Sequence, residues 1–207
     1  MLRSSLKRPF KRSFDLVAAG LGVLVLSPLL LLIAVAIKLD SAGPVFFRQV
    51  RVGRHRQPFR IRKFRTMAHN PQDRGLQITV GQDARITRVG AVLRRTKLDE
   101  LAQLFDVLEG TMSLVGPRPE VPRYVEHYPE DVRRIVLSVR PGITDLASIE
   151  YRDESTLLAR AADPEREYIE VILPAKLRYA VEYVQRQSLA YDLMLILRTI
   201  AALLRRR

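Results

Sequence analysis

Cysteine is absent from this 207-residue chain, so no disulfide and no thiolate metal site is available to it. Histidine is scarce. His55, His69 and His127 are scattered without the spacing of metal ligands, so zinc chemistry built on imidazole is not expected. Neither a Walker A loop nor a Gly-x-Gly-x-x-Gly run occurs, which removes support for a P-loop or Rossmann nucleotide site. No internal repeat and no low-complexity tract is present. Negative charge is also short: 22 acids face 35 bases, a net charge of +13. Arginine outnumbers lysine 29 to 6, and its planar fork suits phosphate recognition. Residues 38–65 hold nine bases and one acid, Asp40. Such a patch fits nucleic acid, anionic lipid head groups or a phosphorylated substrate.

The chain does have one long uncharged run, the 22 residues 16–37, with Ser27-Pro28 at its middle. About 20 apolar residues can span a bilayer as a helix. The run is too long for a signal h-region and lacks a cleavage site, so it reads as retained. A central proline removes a hydrogen bond and kinks or breaks a helix. Lys7, Arg8, Lys11 and Arg12 precede the run, and Lys38, Arg48 and Arg51 follow it. The positive-inside rule pulls both ends toward the cytoplasm. The expectation is a re-entrant hairpin kinked at Ser27 and Pro28, dipping into one leaflet; the alternative is a single-pass anchor with a tolerated proline. This divides the chain into 1–38, an amphipathic lead with membrane lipids as its partner, and 39–207, a cytosolic domain.

Within that domain, 44–52 and 58–64 are β-prone runs separated by a turn, predicting a hairpin. A polar loop covers 68–82. From Leu98 to Leu108 apolar residues fall on one face of a helix, ended by Gly110 as a C′ residue. Helices are expected over 121–137 and from 164 onward, with Arg140-Pro141-Gly142-Ile143-Thr144 as a loop between them. The stretch 176–207 reads as an interfacial helix with an arginine terminus. The class is α+β, mostly helical, with interfacial amphipathic helices and a small β element.

The chemistry centres on Asp99 and Glu100. Thr96-Lys97-Leu98-Asp99 has capping-box spacing, and the plain reading is a helix cap. In the sharper reading, a carboxylate in a first helical turn stays ionised. Arg94, Arg95 and Lys97 lower its pKa further. An ionised aspartate is a competent nucleophile toward phosphorus, given Mg²⁺ to neutralise the phosphate oxygens. Gly116-Pro117-Arg118-Pro119 restrains the backbone on both sides of Arg118, which holds a guanidinium for a phosphate or a carbonyl edge.

Four stretches, KRSFDLVAAGLGVLVLSPLLLLIAVAIKLDSAGPVFFRQVRVG, PFRIRKFRTM, KLDELAQLFDVLEGTMSLVGPRPE and RPGITDLASIEYRDE, resemble in order the monotopic phosphoglycosyl transferases, the bacterial sugar transferase family. The resemblance implies a re-entrant helix broken at Ser27-Pro28 and a catalytic dyad, Asp99-Glu100, with Asp99 as nucleophile and Mg²⁺ ligand. It implies substrate-binding roles for Lys63, Arg65, Arg94, Arg118 and Arg152. Two positions depart from the family pattern: Asp145 stands where many members have glycine, and Ala180 where many have aspartate. The implied activity moves a phospho-sugar from a UDP-sugar to polyprenol phosphate at the cytoplasmic face of a bacterial inner membrane, beginning a surface glycan. No nucleic-acid partner is expected, and a homodimer is left open. The competing classes are a membrane-tethered nucleic-acid binder and a non-catalytic scaffold.

Overall fold

The computed structural model describes residues 2–68, 83–151 and 154–204, with side chains from Phe10 onward. Most of the loop expected at 68–82, Arg152 and the arginine terminus lie outside the described residues.

Helix α1 (Leu2–Asp40) runs for 39 residues. The sequence predicts a break at Ser27-Pro28, but helical geometry continues through the pair. The reason is local. Pro28 has no N–H to give the carbonyl of Leu24, four residues back. The Ser27 hydroxyl donates to that same oxygen at 2.8 Å, so the acceptor keeps a partner. One stripe of α1 packs inward along its length: Asp15, Ala19, Leu30, Ile33 and Ile37 are buried, at helical spacing. The opposite stripe, including Val17, Leu21, Leu32 and Val35, stays outside, with Leu24 70% and Val25 73% exposed. Phe10–Asp40 is long and apolar enough to cross a membrane by length and composition.

Strands β1 (Phe46–Val52) and β2 (Pro58–Phe64) form the antiparallel hairpin the sequence predicts, with Phe46 opposite Phe64 and Val52 opposite Pro58. Helix α2 (Arg88–Thr96) starts at Thr87, whose hydroxyl accepts from Gly90 N. A 3₁₀ turn (Leu98–Ala102) and α3 (Gln103–Glu109) replace the single helix expected here. Gly110, at φ 93°, ends α3 as its C′ residue. Asp106 on α3 accepts from Arg62 N at 2.8 Å and from its guanidinium at 2.6 Å, which ties α3 to β2.

Strand β3 (Ser113–Val115) follows. Helices α4 (Pro122–Val125) and α5 (Glu130–Val136) divide the helix expected over 121–137, because Pro129 cannot donate within it. The stretch expected as a loop contains β4 (Gly142–Thr144), which pairs in parallel with β3. The two segments touch backbone to backbone. A Cβ on Gly142 would lie 2.0 Å from Gly116 N, and one on Gly116 would lie 2.5 Å from Arg140 O. Only glycine permits this approach, so the turns 116–119 and 140–142 form one packed unit.

Helices α6 (Leu146–Glu150), α7 (Glu154–Leu158) and α8 (Pro164–Glu167), a π-helical stretch (Tyr168–Ile172), α9 (Leu173–Arg186) and α10 (Leu189–Leu204) complete the chain. The interfacial helix expected from 176 is therefore two helices. Helix α9 is a core helix that buries Leu173, Leu177, Ala180 and Tyr183. Helix α10 buries Asp192 and Leu195 and exposes Leu193, Leu197, Ile200 and Leu204. The main core joins α4, α5 and α9 through Tyr124, Val136 and Leu177; two smaller clusters dock α1 on β2, α2 and α3.

Candidate active site

Lys97 sets the site's geometry. It closes α2 at φ 58°, in the left-handed region that a residue with a Cβ occupies only at a cost. The reversal starts the 3₁₀ turn that carries Asp99 and Glu100. The capping box expected from Thr96 does not form. Thr96 ends α2, and its hydroxyl donates back to Val92 O at 2.8 Å.

Glu100 is gripped from two elements. Arg118, from the turn after β3, donates to its two oxygens at 3.1 and 2.5 Å. Lys63, from β2, donates to Oε1 at 2.9 Å. A bidentate guanidinium–carboxylate pair is among the stronger charge-assisted contacts. Burial alone would raise the Glu100 carboxyl, but Arg118 and then Lys63 outweigh it and hold it well below 4.5. Glu100 in turn raises the Arg118 guanidinium, which stays charged. Lys63 is drawn below its ordinary value by burial, against the pull of Glu100.

Asp99 is placed differently. It is 8% exposed, and its buried Oδ1 has no hydrogen-bond partner. Burial pushes its carboxyl above 3.8; Lys63 opposes this, Glu100 adds to it, and Lys97 and Arg94 oppose it. The flanking cations were expected to lower this pKa. Desolvation wins, and no donor reaches Oδ1 to replace the water it loses.

Of the residues picked from sequence, Lys63, Asp99, Glu100 and Arg118 come together, and Arg94 lies near enough to bias Asp99. Arg65 is directed elsewhere. It is buried and donates to Ile37 O, Ser41 O at 2.7 Å and Ala42 O, tying down the end of α1. Ser27 and Pro28 remain in α1, away from this cluster, and Arg152 lies outside the described residues.

The structure adds a second charged network behind the Pro-Arg-Pro turn. Arg51 donates to Pro119 O at 3.0 Å and stands 3.5 Å from Glu120. Glu120 accepts from the Tyr168 hydroxyl at 2.5 Å, and Lys176 lies 3.6 Å away, bonded also to Glu154 at 2.9 Å. Glu120 could have been suspected from its place directly after Pro119. Tyr168 and Lys176 carry no local signal, since both join the site across long chain separations. Asp145 now has a job: it caps α6 through Ser148 N at 2.7 Å and accepts from Arg118 N at 3.2 Å. Ala180 is simply part of the apolar core.

Among the described residues, no group of three His, Asp or Glu side chains forms a metal cage. Mg²⁺ needs none, because it is commonly held by one carboxylate together with substrate phosphates and water. The Asp99 carboxylate, a hard oxygen ligand, fits that role, whereas Glu100 is already bonded to Arg118 and Lys63.

A family model for bacterial sugar transferases matches residues 6–206. The chain belongs to the bacterial sugar transferase family. It is 38% identical over 206 residues to the UDP-N-acetylgalactosamine-undecaprenyl-phosphate N-acetylgalactosaminephosphotransferase of Aeromonas hydrophila, covering 99% of this chain and 46% of that protein. It is 42% identical over 200 residues to the UDP-glucose:undecaprenyl-phosphate glucose-1-phosphate transferase of Caulobacter vibrioides, covering 94% of this chain and 69% of the relative. It is 37% identical over 211 residues to the exopolysaccharide production protein ExoY of Rhizobium meliloti, covering 93% and 84% respectively. The chain thus spans less than half the length of the Aeromonas relative.

Proposed function

We propose that this chain transfers a phospho-sugar from a UDP-sugar to a polyprenol phosphate, releasing UMP and beginning assembly of a surface glycan. The observation that carries the reading is the buried, unpartnered Asp99 Oδ1 beside a Glu100 held by Arg118 and Lys63. Asp99 attacks the β-phosphorus; the Asp99 O–P bond forms, and the bond to the UMP oxygen breaks with its electron pair. An oxygen of polyprenol phosphate then attacks the same phosphorus and frees the Asp99 carboxylate, giving polyprenyl diphosphosugar. Asp99 would hold Mg²⁺, which would supply neutralisation of the diphosphate charge. Glu100 fixes Lys63 and Arg118 where they can meet phosphate oxygens. Its lowered pKa argues against a proton-handling role.

The basic stretch 38–65 supports a substrate role over nucleic acid. Arg51, Arg62, Lys63 and Arg65 are occupied by Glu120, by Asp106 and Glu109, by Glu100 and by backbone carbonyls. Arg51, Arg62 and Arg65 are thus spent on the fold, and Lys63 is held by Glu100 beside Asp99 rather than along a phosphate-tracking surface.

For the membrane element the reading is a re-entrant, monotopic α1 on the cytoplasmic face of a bacterial inner membrane. Near one end, Lys11 bonds Asp192 at 2.6 Å and Arg12 bonds Val107 O at 2.8 Å. Near the other, Asp40 accepts from Val89 N at 3.0 Å and Ser41 O accepts from Arg65. Both charged ends thus attach to one folded body, which a helix with ends on opposite faces of a hydrocarbon core about 30 Å thick would not do.

The test is a panel of UDP-sugars with undecaprenyl phosphate, scoring UMP release. Enzyme given UDP-sugar and Mg²⁺ without the lipid should gain the mass of one phospho-sugar. Asp99→Asn should lose both the adduct and turnover, because an amide is a poor nucleophile and a poor Mg²⁺ ligand. Full activity in Asp99→Asn would overturn the proposal.

A further inference from the structure

Gln103 opens α3, one turn after Asp99, and is 1% exposed. Its carboxamide Nε2 is buried without a hydrogen-bond partner. Buried side-chain donors in native proteins are almost always paired, so each exception asks for an explanation. The chain offers one four residues upstream, where the buried Asp99 Oδ1 lacks a donor. The 3₁₀ turn that carries Asp99 runs directly into α3 at Gln103, and a glutamine side chain is long enough to hydrogen-bond an aspartate about one turn away. An unmet donor at the start of α3 and an unmet acceptor in the 3₁₀ turn that leads into it are therefore four residues apart in the chain. A leucine or methionine would fill the Gln103 site without an orphan, so packing does not account for the amide.

We infer that Gln103 is a positioning residue for Asp99; this rests on the proposed function above. In the reacting state its N–H donates to one Asp99 oxygen and leaves the other aimed at phosphorus. When the Asp99 O–P bond forms and UMP departs with its electron pair, the oxygen facing Gln103 becomes the carbonyl of the acyl phosphate, still an acceptor. The same hydrogen bond then strengthens as polyprenol phosphate attacks and the carboxylate leaves. Donors aimed at charge that develops during a reaction favour the step itself more than substrate binding. The other charges facing Asp99, Lys63 from β2, Arg94 from α2, and Lys97 and Glu100 from its own segment, are unaffected by the substitution.

The test uses the full chain in detergent or nanodiscs, with UDP-glucose and UDP-N-acetylgalactosamine as donor probes and undecaprenyl phosphate as acceptor. Gln103→Met should lower kcat about 10- to 100-fold, leave KM for the donor within about threefold, and keep or raise the melting temperature, since it removes an orphan donor. Gln103→Glu should shift the pH–kcat profile toward acid, because the introduced carboxyl donates only when protonated. Wild-type kcat in Gln103→Met overturns the inference. So does a loss of activity that tracks a fall in melting temperature while the Gln103→Glu profile stays unmoved. An active Asp99→Asn enzyme would instead overturn the underlying reading. An inactive Asp99→Asn beside a fully active Gln103→Met would overturn this inference alone.

Discussion

Two adjacent carboxylates in one turn are driven in opposite directions. Asp99 is raised by burial and Glu100 is lowered by its cations. The signs follow directly. A raised carboxyl favours the folded state most below its ordinary value, and that contribution fades as pH rises through the raised pKa. The lowered Glu100 does the reverse: its contribution is present above 4.5 and is lost as pH falls through the lowered value. In the proposed reaction Asp99 attacks as the carboxylate, so the acid limb of kcat/KM, which reports the free enzyme, should lie above 3.8. Lys63→Met removes the main group opposing the rise and should move that limb to higher pH, apart from any drop in rate. A wild-type limb at or below the ordinary aspartate range, or a limb unmoved in the variant, would refute the assignment. Sequence alone placed Asp99 near cations and read its pKa as lowered. Whether desolvation or charge wins depends on donors brought by distant segments, and local spacing does not hold that information.

At the scale of elements, the hairpin β1–β2 and the C′ role of Gly110 were legible because turn chemistry and alternation are local. Helix α1 was legible as apolar, but not as continuous: the Ser27 hydroxyl replaces the hydrogen bond that Pro28 removes. Pro28 still withholds a backbone donor at the middle of the membrane run, and prolines are the commonest cause of sharp helix bends. The natural absence of cysteine makes the topology cleanly testable. Single cysteines at Ser5 and at Ala42 should both label from the cytoplasmic side alone. Periplasmic labelling of either would reject the re-entrant arrangement and favour a spanning anchor. The β3–β4 pair was not legible. Its parallel register joins segments 29 residues apart, and the cue, glycine at 116 and at 142, has meaning only once the two backbones touch.

For the whole molecule the decisive contact is between the first helix and the last. Asp192 on α10 is completely buried; it meets Lys11 at 2.6 Å and the Tyr183 hydroxyl at 2.8 Å. Asp15, one turn beyond Lys11, accepts from Ser113 Oγ at 2.8 Å and Leu114 N at 3.2 Å. This lock holds the apolar outer faces of α1 and α10 on one body, and it seats the membrane helix on the strand that leads into the Arg118 turn. Lys11→Met leaves a buried carboxylate without its cation, a change that typically costs about 3–5 kcal/mol. Thermal unfolding in detergent should show that loss. Asp192→Asn added to Lys11→Met should restore most of it; an unchanged melting temperature in the single variant would remove the lock from the account. The sequence by itself determined the membrane run, the hairpin, the two proline-bounded turns and the Asp99-Glu100 pair, because each is written in neighbouring residues. Only the tertiary structure decided that Arg65 serves α1, that Glu120 meets Tyr168 and Lys176, and that Asp99 is left with an unfilled oxygen. Those outcomes depend on which distant groups share a buried space, and burial there outweighs what sequence neighbours contribute.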